Sequence, residues 1–196
     1  MPKSRTNAKI LLDLEQDHPI EKRTYLKSHM CSPFRYLLVL VLICVTGCQK
    51  DTSRSFVPDN FIIPDSLVAG QLRLKPLTIE YAQKDYDAVM DSRDELRKQF
   101  GGSWPEDGFT LEENQEDIRE HEQLHEARQS FTYTVLSKDN NRVLGCVYIN
   151  AVDSSGFDAQ VHMWVRRGES ILPLKAAVQD WLDQDWPFEQ VLYHDT

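Results

Sequence analysis

The chain has 196 residues, 41% hydrophobic and 27% charged, enough for the core of one modest globular domain with a tail and too few for a second full domain. Its formal charge of −9 is unevenly spread: residues 1 to 47 carry seven Lys/Arg against four Asp/Glu, a balance of +3, so the remainder carries −12. That acidity excludes nucleic acid as a partner, because phosphates are repelled by it.

Residues 1 to 29 are polar and lack a strong period, and Met30 offers an internal start, so 1–29 is read as an over-long extension. The run Tyr36 to Val45 is continuous and apolar. It is short for a membrane span, which needs about 20 residues, and has the length of a signal-peptide core. Lys22, Arg23, Lys27 and Arg35 precede it, which places the downstream chain on the non-cytoplasmic side of a membrane. Val45-Thr46-Gly47-Cys48 resembles a bacterial lipobox, so 30–47 is read as a lipoprotein signal peptide and Cys48 as the lipidated residue, anchoring the chain in the cell envelope. Only Cys48 and Cys146 would then remain, and no intrachain disulfide forms. Residues 48–71, interrupted by Pro58 and Pro64, read as a tether with a docking piece at Phe61 to Ile63.

The domain is read over residues 72–196. Leu72 and Leu74 flanking Arg73 predict a first strand that ends at Pro76. Ala82, Tyr86, Val89, Met90, Leu96 and Phe100 share one helical face, closed by Gly101-Gly102. After a loop holding Trp104 and Pro105, Thr110 and Glu113 have capping-box spacing and begin a second, mostly polar helix. That helix contains His121-Glu122-Gln123-Leu124-His125, an HExxH match in which the two His stand one turn apart. Such a pair can bind zinc with the Glu as base for a bound water, so His121 and His125 are weak metal candidates. Against this, Glu120 and Glu126 flank the motif and no third ligand is found downstream at a recognisable spacing; the two His then serve to cover the core or line a groove.

Phe131 to Leu136 and Val143 to Ile149 predict a hairpin turned by Asp139-Asn140-Asn141, with Cys146 as a small buried hydrophobe. Ala159, Val161, Met163 and Val165 alternate with Gln160, His162, Trp164 and Arg166, a half-buried strand. From Leu172 the period changes, and Leu174, Val178, Trp181 and Leu182 share a helical face with Pro173 in the first turn. Gln190 to His194 reads as a last short strand. The order of elements predicts an α/β, layered α+β fold, a mixed sheet flanked by helices.

From Leu72 onward the chain resembles the GNAT N-acetyltransferase superfamily, through LRLKPLT and its helices, FTYTVL, VLGCVYI with Gly145, and AQVHMWVRR leading into LPLKAAVQDWL. The resemblance implies acetyl-CoA as co-substrate, with the backbone of Met163, Trp164, Val165 and Arg166 pairing with the pantetheine arm. It implies a pyrophosphate loop beginning at Arg167 and including Gly168 and Ser170, although Ser170 and Leu172 stand where the family pattern has glycine-type residues. The family usually continues past its fifth strand with a helix and two strands, often supplying a Tyr general acid. This chain is read as truncated there, and Tyr193, in the fifth-strand position, does not inherit that role.

Three functions are expected in turn: a membrane-anchored GNAT-type transfer of an acyl group to an amine, with Trp104, His121 and His125 bordering the acceptor groove; an inactive GNAT-like binding or structural module; and a zinc hydrolase through HEQLH. The acceptor amine or protein partner is not identified by the sequence. Export conflicts with acetyl-CoA, a cytoplasmic metabolite.

Overall fold

A computed structural model describes residues 55–154 and 156–194. Cys48, the signal segment and residues 1–29 lie outside the described residues. The elements in chain order are β1 (Leu67–Ala69), β2 (Leu72–Pro76), a 3-10 turn (Ile79–Tyr81), α1 (Ala82–Asp91), α2 (Arg93–Phe100), α3 (Leu111–Glu126), β3 (Ser130–Ser137), β4 (Val143–Asn150), β5 (Ala159–Val165), α4 (Ile171–Asp185) and β6 (Val191–Tyr193). One six-stranded sheet runs β1 to β6 in sequence order. Every pairing is antiparallel except β5 with β6, which is parallel and joined by the α4 crossover.

The strand alternation divides the side chains between two cores. Phe131, Tyr133, Val147, Ile149, Val161 and Met163 face α4, whose Leu174, Val178, Trp181 and Leu182 bury the stripe that the sequence period predicts. Leu136, Cys146, Tyr148 and Trp164 face the helices on the other side, against Val89, Leu96, Phe100 and Trp104. The Thr110 capping box forms as its spacing predicts: the Thr110 side chain accepts from Glu113 N, and the Glu113 carboxylate accepts from Thr110 N.

Two local features differ from the sequence reading. The helix expected from Ala82 to Phe100 is broken at Ser92, a fully buried residue whose hydroxyl accepts the Arg167 N–H at 2.9 Å. Part of the segment read as tether packs on the domain. Val57 is buried among Phe131 and Trp186, Phe56, Phe61 and Ile63 lie against the same core, and Leu67–Ala69 adds a strand upstream of Leu72. Arg128 Nη2 donates to the Pro58 and Phe61 carbonyls and Tyr133 Oη to the Pro64 carbonyl, which satisfies backbone carbonyls of this proline-interrupted stretch.

Gly145 is needed where β4 bulges. Val135 pairs with Gly145 and Leu136 with Val143, leaving Leu144 unmatched. A Cβ on Gly145 would sit 2.0 Å from the Trp164 carbonyl oxygen, a backbone atom of the neighbouring strand. Gly145→Ala is therefore expected to cost about 1–3 kcal/mol, the range for overpacking. Urea unfolding would show it as a lowered midpoint at unchanged slope, and a loss within the scatter of ordinary surface substitutions would contradict the close approach.

Candidate functional site

The site is built where β5 and β6 part. β6 pairs with β5 only over Ala159 to Val161, and the last bond is from His194 N to the Val161 carbonyl. Backbone groups two residues apart point to the same edge of a strand, so Met163 presents its N–H and C=O to the β6 side, beyond the end of β6. The Met163 carbonyl is taken there by Gln99 Nε2 of α2 at 2.7 Å. The other edge of β5 is occupied by β4, up to Arg166 N bonding the Leu144 carbonyl.

On the face shared with Tyr148 and Trp164, the one covered by α1 and α2, stands His162, half-buried and opposite Tyr148 of β4. The His194 ring stacks on it at 3.9 Å with an interplanar angle of 8°. His194 Nε2 lies 2.9 Å from Gln160 Oε1, and Gln160 Nε2 donates to the Ala151 carbonyl. Burial, and then the neighbouring His194, push the His162 imidazole down to about 4, so at neutral pH it is an uncharged acceptor.

The sequence-predicted cofactor residues surround this edge in different ways. Met163 and Trp164 point their side chains into opposite cores, and Trp164 Nε1 donates to the Tyr148 hydroxyl. Val165 is half-buried against the α4 side. Arg166 pairs with Asp91, with Nε at 2.9 Å, and Arg167 Nε donates to the Asp91 carbonyl while lying 3.9 Å from Glu95. Both arginines thus tie the loop to α1 and α2. Gly168, at φ +87°, makes the left-handed turn, and Glu169 N returns to the Arg166 carbonyl. Ser170 is the N-cap of α4 but makes no side-chain capping bond, so its hydroxyl is not spent on the helix.

The HExxH residues do other work. His121 is buried, its Nδ1 3.0 Å from Thr132 Oγ1 and its ring against Tyr148, and burial pushes it down to about 4. His125 packs edge-on against Phe131 and Tyr133, and Glu122 accepts the Ile79 N–H. Among the described residues no three His, Cys, Asp or Glu side chains are grouped to hold a metal ion. Trp104 is likewise a core residue, buried between Phe100 and Phe109. Sequence reasoning missed His162, His194 and Gln160. The alternation puts Gln160 and His162 on one face of their strand, but no local pattern shows that β6 pairs beside β5 and brings His194 to them.

No protein-family model and no curated protein sequence matches the chain. Among solved structures it is similar to a probable acetyltransferase (TM-score 0.53, 10% identity, 65% of this chain and 72% of the other). It is also similar to the microcin C7 self-immunity acetyltransferase MccE, solved with acetyl-CoA and AMP (TM-score 0.50, 16% identity, 62% of this chain and 68% of the other). It spans 66% of the ribosomal-protein-S5-alanine acetyltransferase of Vibrio fischeri, at 17% identity over 60% of this chain with a TM-score of 0.46. The fold is that of the GNAT acetyltransferases.

Beneath the site, Asp85 of α1 is buried with Asn114 Nδ2 at 3.1 Å and the Cys146 thiol at 3.5 Å. Burial pushes the carboxyl from 3.8 up to about 6 against the pull of these bonds. A raised folded value means that the folded chain keeps a proton the unfolded chain has released, so this contribution is full below pH 3.8 and disappears as pH rises through about 6. His121 and His162 act oppositely, their contributions being present above pH 6.5 and lost as pH falls towards 4. Comparison with Asp85→Asn isolates the carboxyl. The stability of the wild type minus that of the variant, from urea unfolding, is expected to fall by about 1 kcal/mol between pH 5 and pH 7. A difference independent of pH would remove the buried-acid assignment.

Proposed function

We propose that the domain transfers an acyl group from acetyl-CoA to an amine, with the open edge of β5 beside His162 as the reaction centre. The observation that carries this reading is the early end of β6, which leaves Met163 unpaired by a strand next to a neutral imidazole. A pantetheine arm has amide groups able to pair with such an edge, and the Gln99 side chain that holds the Met163 carbonyl is displaceable where a backbone strand is not. Gly168, the Ser170 hydroxyl and the Ile171 and Leu172 N–H groups at the start of α4 suit a pyrophosphate, Pro173 having no N–H to offer. The residues present therefore fit the co-substrate mainly through backbone groups.

When bound, acetyl-CoA supplies a thioester acyl group. His162 takes the proton that the neutral acceptor amine loses as its nitrogen bonds to the acyl carbon, and returns it to the thiolate released when the carbon–sulfur bond breaks. Arg166 and Arg167, tied to Asp91 and Glu95, hold the loop at the α4 N-terminus, where the Arg166, Arg167 and Glu169 N–H groups are spent on Leu144, Ser92 and Arg166. His162→Gln is expected to lower kcat for amine-dependent CoA release by about 10² or more, the lower bound for losing a general base. Calorimetric binding of acetyl-CoA should be unchanged. Absence of acetyl-CoA binding by the wild type would favour a module that keeps the fold without the chemistry.

Anchoring through Cys48 is the second part of the proposal. Six residues separate Cys48 from Ser55, where the described domain begins, a reach of roughly 20 Å when extended. The anchor would hold the domain close to the bilayer, on the non-cytoplasmic side if the segment before Cys48 directs export. Among the described residues no helix is long and apolar enough to cross a membrane. Cys48→Ser should abolish palmitate incorporation and move the chain from the detergent to the aqueous phase. Unaltered labelling and partition would remove the anchor, and protease protection of the wild type would show which side of the membrane, and hence which acyl-donor pool, the domain meets.

A further inference from the structure

Gln160 and His194 belong to no element of the transfer step, yet they are arranged about His162 in a way that packing alone does not require. Gln160 is buried and spends its Nε2 on the Ala151 carbonyl, which fixes the amide and turns Oε1 towards β6. An amide oxygen only accepts, so the His194 Nε2 at 2.9 Å must carry a proton. That bond sets the tautomer and the plane of the His194 ring. The ring in turn lies parallel to His162 at 3.9 Å and fixes the plane of the second imidazole. His194 is brought there by the last bond of the β6 pairing, from its own N–H to Val161, so the strand pairing that ends at the open edge also seats the stacking ring. Tyr148, across from His162 on β4, and His121 of α3 against Tyr148 complete the polar surroundings on this face.

We propose that Gln160 and His194 form a positioning relay, Ala151 carbonyl to Gln160 to His194 to His162, which holds the His162 ring in a single orientation beside the Met163 edge. His194 and Gln160 are positioning residues, because neither is placed to touch the reacting atoms through its bonded group. The inference rests on the acyl-transfer reading for what His162 does, and on geometry alone for how His162 is held.

The test uses the full chain labelled with 15N-histidine, as wild type, Gln160→Leu, Gln160→Glu and His194→Phe, with folding checked by circular dichroism. Imidazole spectra of the wild type should show His194 protonated at Nε2 and one sharp His162 species. Gln160→Leu should mix the His194 tautomers and broaden or shift the His162 signals, with kcat for acetyl transfer down about tenfold and KM for acetyl-CoA unchanged. Gln160→Glu keeps an oxygen facing His194 but has no N–H for the Ala151 carbonyl, so it should keep His194 protonated at Nε2 while restoring the His162 signals and kcat only in part. His194→Phe, which keeps a stacking ring, should preserve the His162 signals better than Gln160→Leu does. Folded Gln160→Leu with unchanged His162 spectra would overturn the relay, as would a Gln160→Glu chain in which the His194 tautomers stay mixed. If the wild type neither binds nor consumes acetyl-CoA, the transferase reading fails while the spectra still decide the relay.

Discussion

The parallel pairing of β5 with β6 stops after three residues, and the rest of the site is arranged around that divergence. Had β6 continued, the Met163 N–H and C=O would be ladder groups and the edge would be closed. Its ending leaves strand backbone in need of a partner, which the structure supplies with one side-chain amide from α2. A buried carbonyl must be satisfied, and a flexible glutamine does so without closing the edge permanently. The same last pairing carries His194 onto His162, so the open edge and the imidazole pair have a common structural origin.

Rigid support for this edge comes from both faces of the sheet. On one, α4 buries Leu174, Val178, Trp181 and Leu182 over β5 and its neighbours, with Phe56 and Phe61 of the leading segment closing the layer. On the other, Trp164 anchors β5 through Tyr148, and its carbonyl lies against Gly145. The loop after β5 is then fixed by Arg166 and Arg167 to the break between α1 and α2. The residues that leave a loop glycine and the α4 N-terminus facing outward are therefore held by charge pairing away from the edge itself.

Much of the scaffold was legible because it is written in local patterns. The alternation of Ala159 to Arg166, the change of period after Leu172, the Thr110–Glu113 spacing and the turn residues at Asp139 to Asn141 each have a short-range cause. The break at Ser92 was not legible, since it depends on Arg167 N, 75 residues away. Strand β1 and the docking of Phe56 and Val57 were hidden in a polar, proline-interrupted stretch that has no period of its own. The HExxH match drew attention to His121 and His125 because their spacing is local, whereas their partners Thr132 and Phe131 are supplied by a strand. His162 and His194, 32 residues apart, meet only through the parallel crossover, which no helical or strand period reveals.

The most direct test of the open edge as a binding site is an amide NMR titration of the full chain with acetyl-CoA. Binding there predicts the largest shifts at Met163 to Arg166 and Gly168 to Leu172, with the Gln99 side-chain amide signal moving as it leaves the Met163 carbonyl. Saturable shifts confined to other surfaces, or none at millimolar ligand, would contradict the assignment of this edge as the acyl-donor site.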